Sequence, residues 1–202
     1  MIAIIDYGAG NIFSVKNALD MLGIESVLTK DRAVIESADA IILPGVGAFP
    51  WAMSELKKSN LIDTIKHEST KKPFLGICLG MQLLFEKSYE FEECDGLGLI
   101  KGKVDKIDEP DLVIPHMGWN KLEYNIKNCP LFEGLPGNDY VYFVHSYKAF
   151  CEDKNLVAYC EYGGKVPALV WDGRFVYGAQ FHPEKSGKIG LKILQNFAKL
   201  VN

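Results

Sequence analysis

The first half of the chain alternates between short, wholly apolar runs and longer segments with helical spacing. Met1 to Ile5 is a continuous apolar run, as expected of a strand buried on both faces. From Ile12 to Leu22, Val15, Leu19 and Leu22 fall on one face and Gly23 supplies a stop, which predicts an amphipathic helix. Glu25 to Thr29 and Ala40 to Leu43 read as the second and third strands, and residues 49 to 57 and 61 to 68 as helices. Phe74 to Ile77 reads as a fourth strand, and an apolar helix is expected to begin near Leu79 and run towards Phe85. A β-α repetition of this kind implies a parallel sheet covered by helices on both faces. The expected fold class is therefore α/β, with a central, mostly parallel sheet flanked by helices.

Beyond Phe85 the texture changes. Glu86 to Asp95 is acidic and reads as a solvated loop. Lys101 to Ile107 alternates as a strand, residues 111 to 150 are β-rich, and Tyr140 to Phe150 is the longest strand candidate. Residues 156 to 162 and 166 to 181 follow, the latter a hairpin with a two-residue turn at Asp172-Gly173. Ser186 can cap a last helix, on which Ile189, Ile193, Leu194, Phe197 and Leu200 share a face. The C-terminal half thus adds an antiparallel extension to the sheet. No linker, internal repeat or low-complexity segment divides the chain, and 202 residues fit a single domain over 1–202.

Composition narrows the function classes. Hydrophobic residues make up 48% and charged residues 24%, an ordinary globular balance. A formal charge of −4 leaves no basic footprint for nucleic acid. The five cysteines (78, 94, 129, 151 and 160) are odd in number and lack CxxC spacing, which argues against a disulfide framework or zinc site. They point to a reducing compartment, with the cytoplasm as the expected setting. No apolar run reaches membrane length, and Met1 to Ile5 is too short for a signal sequence. Gly8 and Gly10 after the first strand invite a dinucleotide fingerprint, but its third glycine position is Phe13. No metal or organic cofactor is expected.

The chemistry centres on Lys72-Pro73-Phe74-Leu75-Gly76-Ile77-Cys78-Leu79-Gly80-Met81-Gln82. One cysteine pinned between two glycines, where a strand turns into a helix, has the form of a nucleophile elbow. The helix start aims free N–H groups and the positive dipole end at that point, which favours a thiolate. A lone cysteine is more often simply buried, but this spacing favours a nucleophile at Cys78. A base is available in Gln180-Phe181-His182-Pro183-Glu184-Lys185-Ser186. Pro183 is expected to keep that segment extended, so that His182 and Glu184 point to one side and Lys185 to the other. Cys78, His182 and Glu184 then supply a nucleophile, a general base and an orienting carboxylate. Pro44-Gly45-Val46-Gly47 reads either as a plain loop or as a backbone approaching a ligand; it falls at the same sheet edge as Cys78, as does Asn11.

Gly76-Ile77-Cys78-Leu79-Gly80-Met81-Gln82 and Phe181-His182-Pro183-Glu184 resemble the motifs of class I (triad) glutamine amidotransferases. Asp6-Tyr7-Gly8-Ala9-Gly10-Asn11, His116-Met117-Gly118-Trp119-Asn120 and Val144-His145-Ser146-Tyr147 are similar to one branch, the glutaminase subunits of imidazole glycerol phosphate synthases of histidine biosynthesis. The resemblance implies glutamine hydrolysis, with Cys78 attacking the side-chain amide. It implies an oxyanion hole from the N–H of Val46 or Gly47 and that of Leu79. It also places Glu90 at the substrate ammonium, Gln82 at the α-carboxylate end, and the backbone of His145, Ser146 and Tyr147 against glutamine. Trp119 is implied at the contact with a synthase partner, a (β/α)₈-barrel cyclase forming a heterodimer, and Asn11 and Lys185 are expected to face the same partner. That cyclase uses the ammonia to make imidazole glycerol phosphate and an aminoimidazole carboxamide ribotide. The alternative is a paralogue feeding a different synthase, such as a sugar-amidinating enzyme. Anthranilate-type glutaminases usually carry His where this chain has Met81, and a regulatory homologue is expected to lose a triad member.

Overall fold

A computed structural model of the chain describes residues 1–8, 11–108, 112–126 and 128–201. Ala9 and Gly10 of the first turn, residue 111 at the start of the β-rich segment, and Lys127 within it lie outside the described residues. In chain order the first half comprises β1 (Ile2–Ile5), α1 (Ile12–Met21), β2 (Ser26–Thr29), α2 (Arg32–Ser37), β3 (Ala40–Gly45) and α3 (Phe49–Lys58). It continues with α4 (Ile62–Glu68), β4 (Phe74–Cys78) and α5 (Leu79–Gln82). The second half comprises β5 (Phe85–Ser88), β6 (Cys94–Asp95), β7 (Ile100–Lys106), β8 (His116–Lys121), β9 (Glu123–Tyr124) and β10 (Tyr140–His145). β11 (Tyr147–Cys151), β12 (Leu156–Glu161), β13 (Lys165–Trp171), β14 (Val176–Ala179) and α6 (Gly187–Ala198) complete it.

Eight strands form the main sheet in the order β2-β1-β3-β4-β14-β13-β12-β9. The pairs from β2 to β14 are parallel and those from β14 to β9 antiparallel, so the sheet is a parallel core with an antiparallel extension. Side chains alternate across a strand, and β1 divides accordingly. Ile2 and Ile4 pack with Val15 and Leu19 of α1 and with Ile193, Leu194 and Phe197 of α6. Ala3 and Ile5 join the opposite layer, with Ile35 of α2, Leu56 of α3 and Ile65 of α4. Burying both faces explains why β1 reads as a continuous apolar run.

Four expectations need correction. The elbow helix is a single turn, and Phe85 already belongs to β5. The acidic segment after it contributes β5 and β6 to a second sheet, ordered β11-β7-β5-β6. Tyr140 to Phe150 is two strands rather than one: β10 pairs with β8, and after a bend at Ser146 β11 pairs with β7. The hairpin between β13 and β14 turns through four residues, where the Asp172 carboxylate accepts from the amides of Arg174 and Val176 at 2.8 and 2.9 Å. Among the described residues no helix is long and apolar enough to cross a membrane.

Candidate active site

The carboxyl ends of β3, β4 and β14 converge on Cys78, at the last position of β4. Its backbone adopts φ +55° and ψ −113°, a region that L residues bearing a side chain rarely occupy and that marks stored strain. Two glycines permit it. A Cβ on Gly80 would sit 1.8 Å from the Leu43 carbonyl oxygen, and one on Gly76 would sit 2.5 Å from the Gly80 oxygen. The main chains of β3, β4 and α5 are therefore in direct contact, with Gly45 in register with Cys78. Val46 and Gly47 follow at the end of β3, and Gly47 holds φ +101°.

β14 runs parallel to β4 and delivers His182 just beyond it. His182 itself is extended, but Pro183 to Lys185 form a 3-10 turn rather than a continued extended segment. Pro183 supplies the fixed φ suited to the first position of such a turn, and the turn, not strand alternation, brings Glu184 back to the imidazole. His182 Nδ1 lies 2.8 Å from Glu184 Oε1, with both side chains almost wholly buried. Ser186 does not cap α6 with its side chain. Its hydroxyl donates to the His182 carbonyl at 2.6 Å and accepts from the Tyr142 amide at 2.9 Å, while the His182 amide donates to the Tyr142 carbonyl at 3.0 Å. These bonds lock the turn onto β10.

A carboxylate on Nδ1 sets the proton there and leaves Nε2 for the cysteine side. That Nε2 is buried with no hydrogen-bond partner among the described residues. Burial pushes the imidazole towards its neutral form, but Cys78 and Glu184 on its two sides outweigh burial and raise its pKa to about 9.

A cavity of about 350 Å³ opens in front of Cys78 and His182. Val46, Gly47 and Leu79 border it, as do His145, Ser146 and Tyr147 at the bend between β10 and β11, where the Val144 carbonyl oxygen lies 3.9 Å from Cys78 Sγ. Gln82 and Glu90 also reach it. Gln82 is buried, its Nε2 donating to the Tyr147 carbonyl at 3.1 Å and to Gln180 Oε1 at 3.0 Å. Glu90 Oε2 accepts from the Phe49 amide at 2.7 Å; burial raises this carboxyl's pKa, against the pull of that amide. Ten of the residues singled out in the sequence thus border one cavity, and Glu184 stands behind His182.

Asn11, Trp119 and Lys185 do not border it. Asn11 lines a small void behind the imidazole together with Glu184, and its Oδ1 accepts from the Ser14 hydroxyl. Trp119 is 52% exposed, packed edge-on against Tyr142 at 6.1 Å. Lys185 is exposed on the 3-10 turn. Sequence reading missed Pro115 and Val144, which border the cavity, and Gln180, whose amide nitrogen lies 3.9 Å from Cys78 Sγ. Gln180 was legible in principle, since it sits two residues before His182 on the strand exit.

A strained cysteine, a carboxylate-held imidazole and backbone amides around one cavity, at the end of a parallel sheet, are groups that could together support nucleophilic acyl transfer. Residues 3–201 match the model of the family described as glutamine amidotransferase class-I, and the chain belongs to that family. A protein of Bacillus cereus (strain ATCC 14579) named imidazole glycerol phosphate synthase subunit HisH is 51% identical over 202 residues, covering 100% of this chain and 95% of that protein. One of the same name from Lactococcus lactis subsp. lactis (strain IL1403) is 55% identical over 198 residues, covering 97% and 96%. A crystal structure described as glutamine amidotransferase superposes with a TM-score of 0.76 at 21% identity, covering 100% of this chain and 99% of the other. The structure of PurLQS from Thermotoga maritima matches with a TM-score of 0.76 at 20% identity, covering 100% and 98%. These last two likenesses speak to the fold.

Proposed function

We propose that this chain is the glutaminase subunit of an imidazole glycerol phosphate synthase, acting in the cytoplasm as one domain beside a (β/α)₈-barrel cyclase. Two relatives at about half identity, matched over nearly their whole length, are named imidazole glycerol phosphate synthase subunit HisH. The mechanistic reading rests most on one observation: Cys78 sits on a strained elbow, facing a buried His182 Nε2 whose ring is held by Glu184. His182 Nε2 first takes the Cys78 thiol proton, giving a thiolate and an imidazolium. Glutamine enters with its ammonium at Glu90, and its other end lies against Gln82 and the backbone of His145 to Tyr147. The thiolate adds to the side-chain carbonyl carbon, and the oxyanion takes the N–H groups of Leu79 and of Val46 or Gly47. His182 gives its proton to the departing amide nitrogen, releasing ammonia and leaving a thioester. The neutral imidazole then takes a proton from water, hydroxide displaces the thiolate, and glutamate leaves.

Ammonia set free in neutral water becomes ammonium, which is no nucleophile, so the product needs a partner seated over the site. Asn11, Trp119 and Lys185 are assigned to that contact. Trp119 is an exposed aromatic of the type that anchors interfaces. The test is synthesis by the chain plus barrel subunit, with glutamine or with ammonium salts. Cys78→Ala is expected to abolish the first and spare the second. Persistent glutamine hydrolysis in that variant would overturn the proposal. The chain alone is expected to hydrolyse glutamine slowly. A donor between Gly45 and Gly47 has little steric reason to hold one orientation, and losing one oxyanion donor costs about two to three orders of magnitude in rate.

A further inference from the structure

Behind the cavity wall of residues 145 to 147 runs a row of polar side chains that the proposed reaction does not use. His145 Nδ1 lies 2.8 Å from the Tyr147 carbonyl oxygen. His145 Nε2 lies 2.9 Å from Nδ1 of His116, its cross-strand neighbour on β8. His116 Nε2 in turn lies 3.1 Å from Asn120 Nδ2. Both rings are buried, and His116 is stacked on Tyr162 and Phe143 at centroid distances of 4.0 and 4.8 Å.

The far end of this row determines everything before it. A carbonyl only accepts, so His145 Nδ1 carries a proton. In the neutral ring Nε2 is then an acceptor, so His116 Nδ1 must donate to it. That leaves His116 Nε2 as an acceptor, which the Asn120 amide group serves. The chain therefore runs one way, from Asn120 through His116 and His145 to the Tyr147 oxygen. Reversing any member would leave two acceptors facing each other in a buried place, a costly arrangement. Burial keeps both rings neutral at ordinary pH, lowering His116 to about 4 and His145 to about 3. The Tyr147 carbonyl at the end of the chain also takes the bond from Gln82, so two buried side chains aim one cavity-lining peptide.

Resting on the glutaminase reading above, we propose that His116 and Asn120 are positioning residues for glutamine. They fix the tautomer of His145 and so hold the backbone of residues 145 to 147 in its substrate-receiving orientation. Neither side chain borders the cavity.

The test uses the chain assembled with its barrel subunit, assayed with glutamine and with ammonium salts. In His116→Phe and Asn120→Leu, KM for glutamine is expected to rise about tenfold while kcat changes less than about threefold, the pattern of lost ground-state binding. Synthesis from ammonium salts should stay at the wild-type level. Nitrogen NMR of the wild-type chain labelled at histidine should show the Nδ1–H tautomer at both His116 and His145. Asn120→Asp offers an acceptor instead of a donor, so His116 should become doubly protonated, keep its bond to His145, and restore KM relative to Asn120→Leu. An unchanged KM in whichever of His116→Phe and Asn120→Leu folds, or Nε2–H tautomers in the wild type, would overturn the proposal. Wild-type synthesis from ammonium salts but not from glutamine would instead overturn the glutaminase reading on which it rests.

Discussion

Three of the four histidines are buried at or behind one cavity: His182 and His145 border it, and His116 backs His145. Burial opposes charge on each of them. On His182 it loses, because the Cys78 and Glu184 side chains flank the ring and the pKa climbs to about 9. On His116 and His145 it wins, because their partners are a carbonyl, an amide and each other, and the values drop to about 4 and 3. Similar depth thus yields a proton reservoir on one wall and a pair of neutral spacers on the other. The sign of a buried histidine's shift is set by whether an anion touches it.

The comparison breaks most visibly at His182. His182→Ala should lower glutamine-dependent kcat by about two to four orders of magnitude while sparing synthesis from ammonium salts. His116→Phe should act on KM instead, and equal kcat losses in the two variants would erase the distinction. Glu184→Gln removes one anion while keeping the shape. His182 should then titrate below about 9, so the alkaline fall of kcat/KM should move to lower pH, with about a tenfold to hundredfold loss of rate. An unmoved alkaline limb would mean that Glu184 does not set the imidazole's charge.

Ser186→Ala sharpens the contrast further, because it loosens the His182 turn without touching either ring. Leaving the part-buried Tyr142 amide without its acceptor should cost about 1 kcal/mol of stability, read in denaturant melts. Smallest is the effect of pH on wild-type stability, where the two walls have opposite signs. His116 and His145 bind protons more readily unfolded, at about 6.5. Their contribution is therefore lost as pH falls from there through about 4 and 3. His182 binds its proton more tightly folded, so its contribution is complete below about 6.5 and lost as pH rises through about 9. Melts of His116→Phe should show a flatter acid limb and an unaltered alkaline one.

Much of this arrangement could be read in the chain, and the failures have physical causes. The elbow was legible because only glycine fits where Gly76 and Gly80 stand, and a tight strand-to-helix turn announces itself in residue size. Strand β5 was hidden, because a register shift between Phe85 and Lys87 breaks its alternation and sends Glu86 and Lys87 both outward. The apolar residues Leu83 and Leu84 before it are fully buried, and a wholly buried run does not distinguish helix from other backbone. The bend at Ser146 separates two strands in different sheets without a glycine or proline to mark it. The pairing of His182 with Glu184 was anticipated from an extended geometry and arises from a 3-10 turn; spacing of two residues fits both. The histidine row behind the wall depends on cross-strand register between β8 and β10, which no local pattern reveals.

The seam where Gly80 meets the Leu43 carbonyl bears on how such a nucleophile could be transplanted. Main chain touches main chain there, so the placement of the thiol relative to the end of β3 is set largely by backbone contact. A single methyl on Gly80 would drive the start of α5 away from β3. A designer who grafts only the strand, cysteine and helix into another scaffold inherits the reactive residue without its ruler. The portable unit is two adjacent parallel strands cut together, with the glycine between them as the hinge pin of the graft.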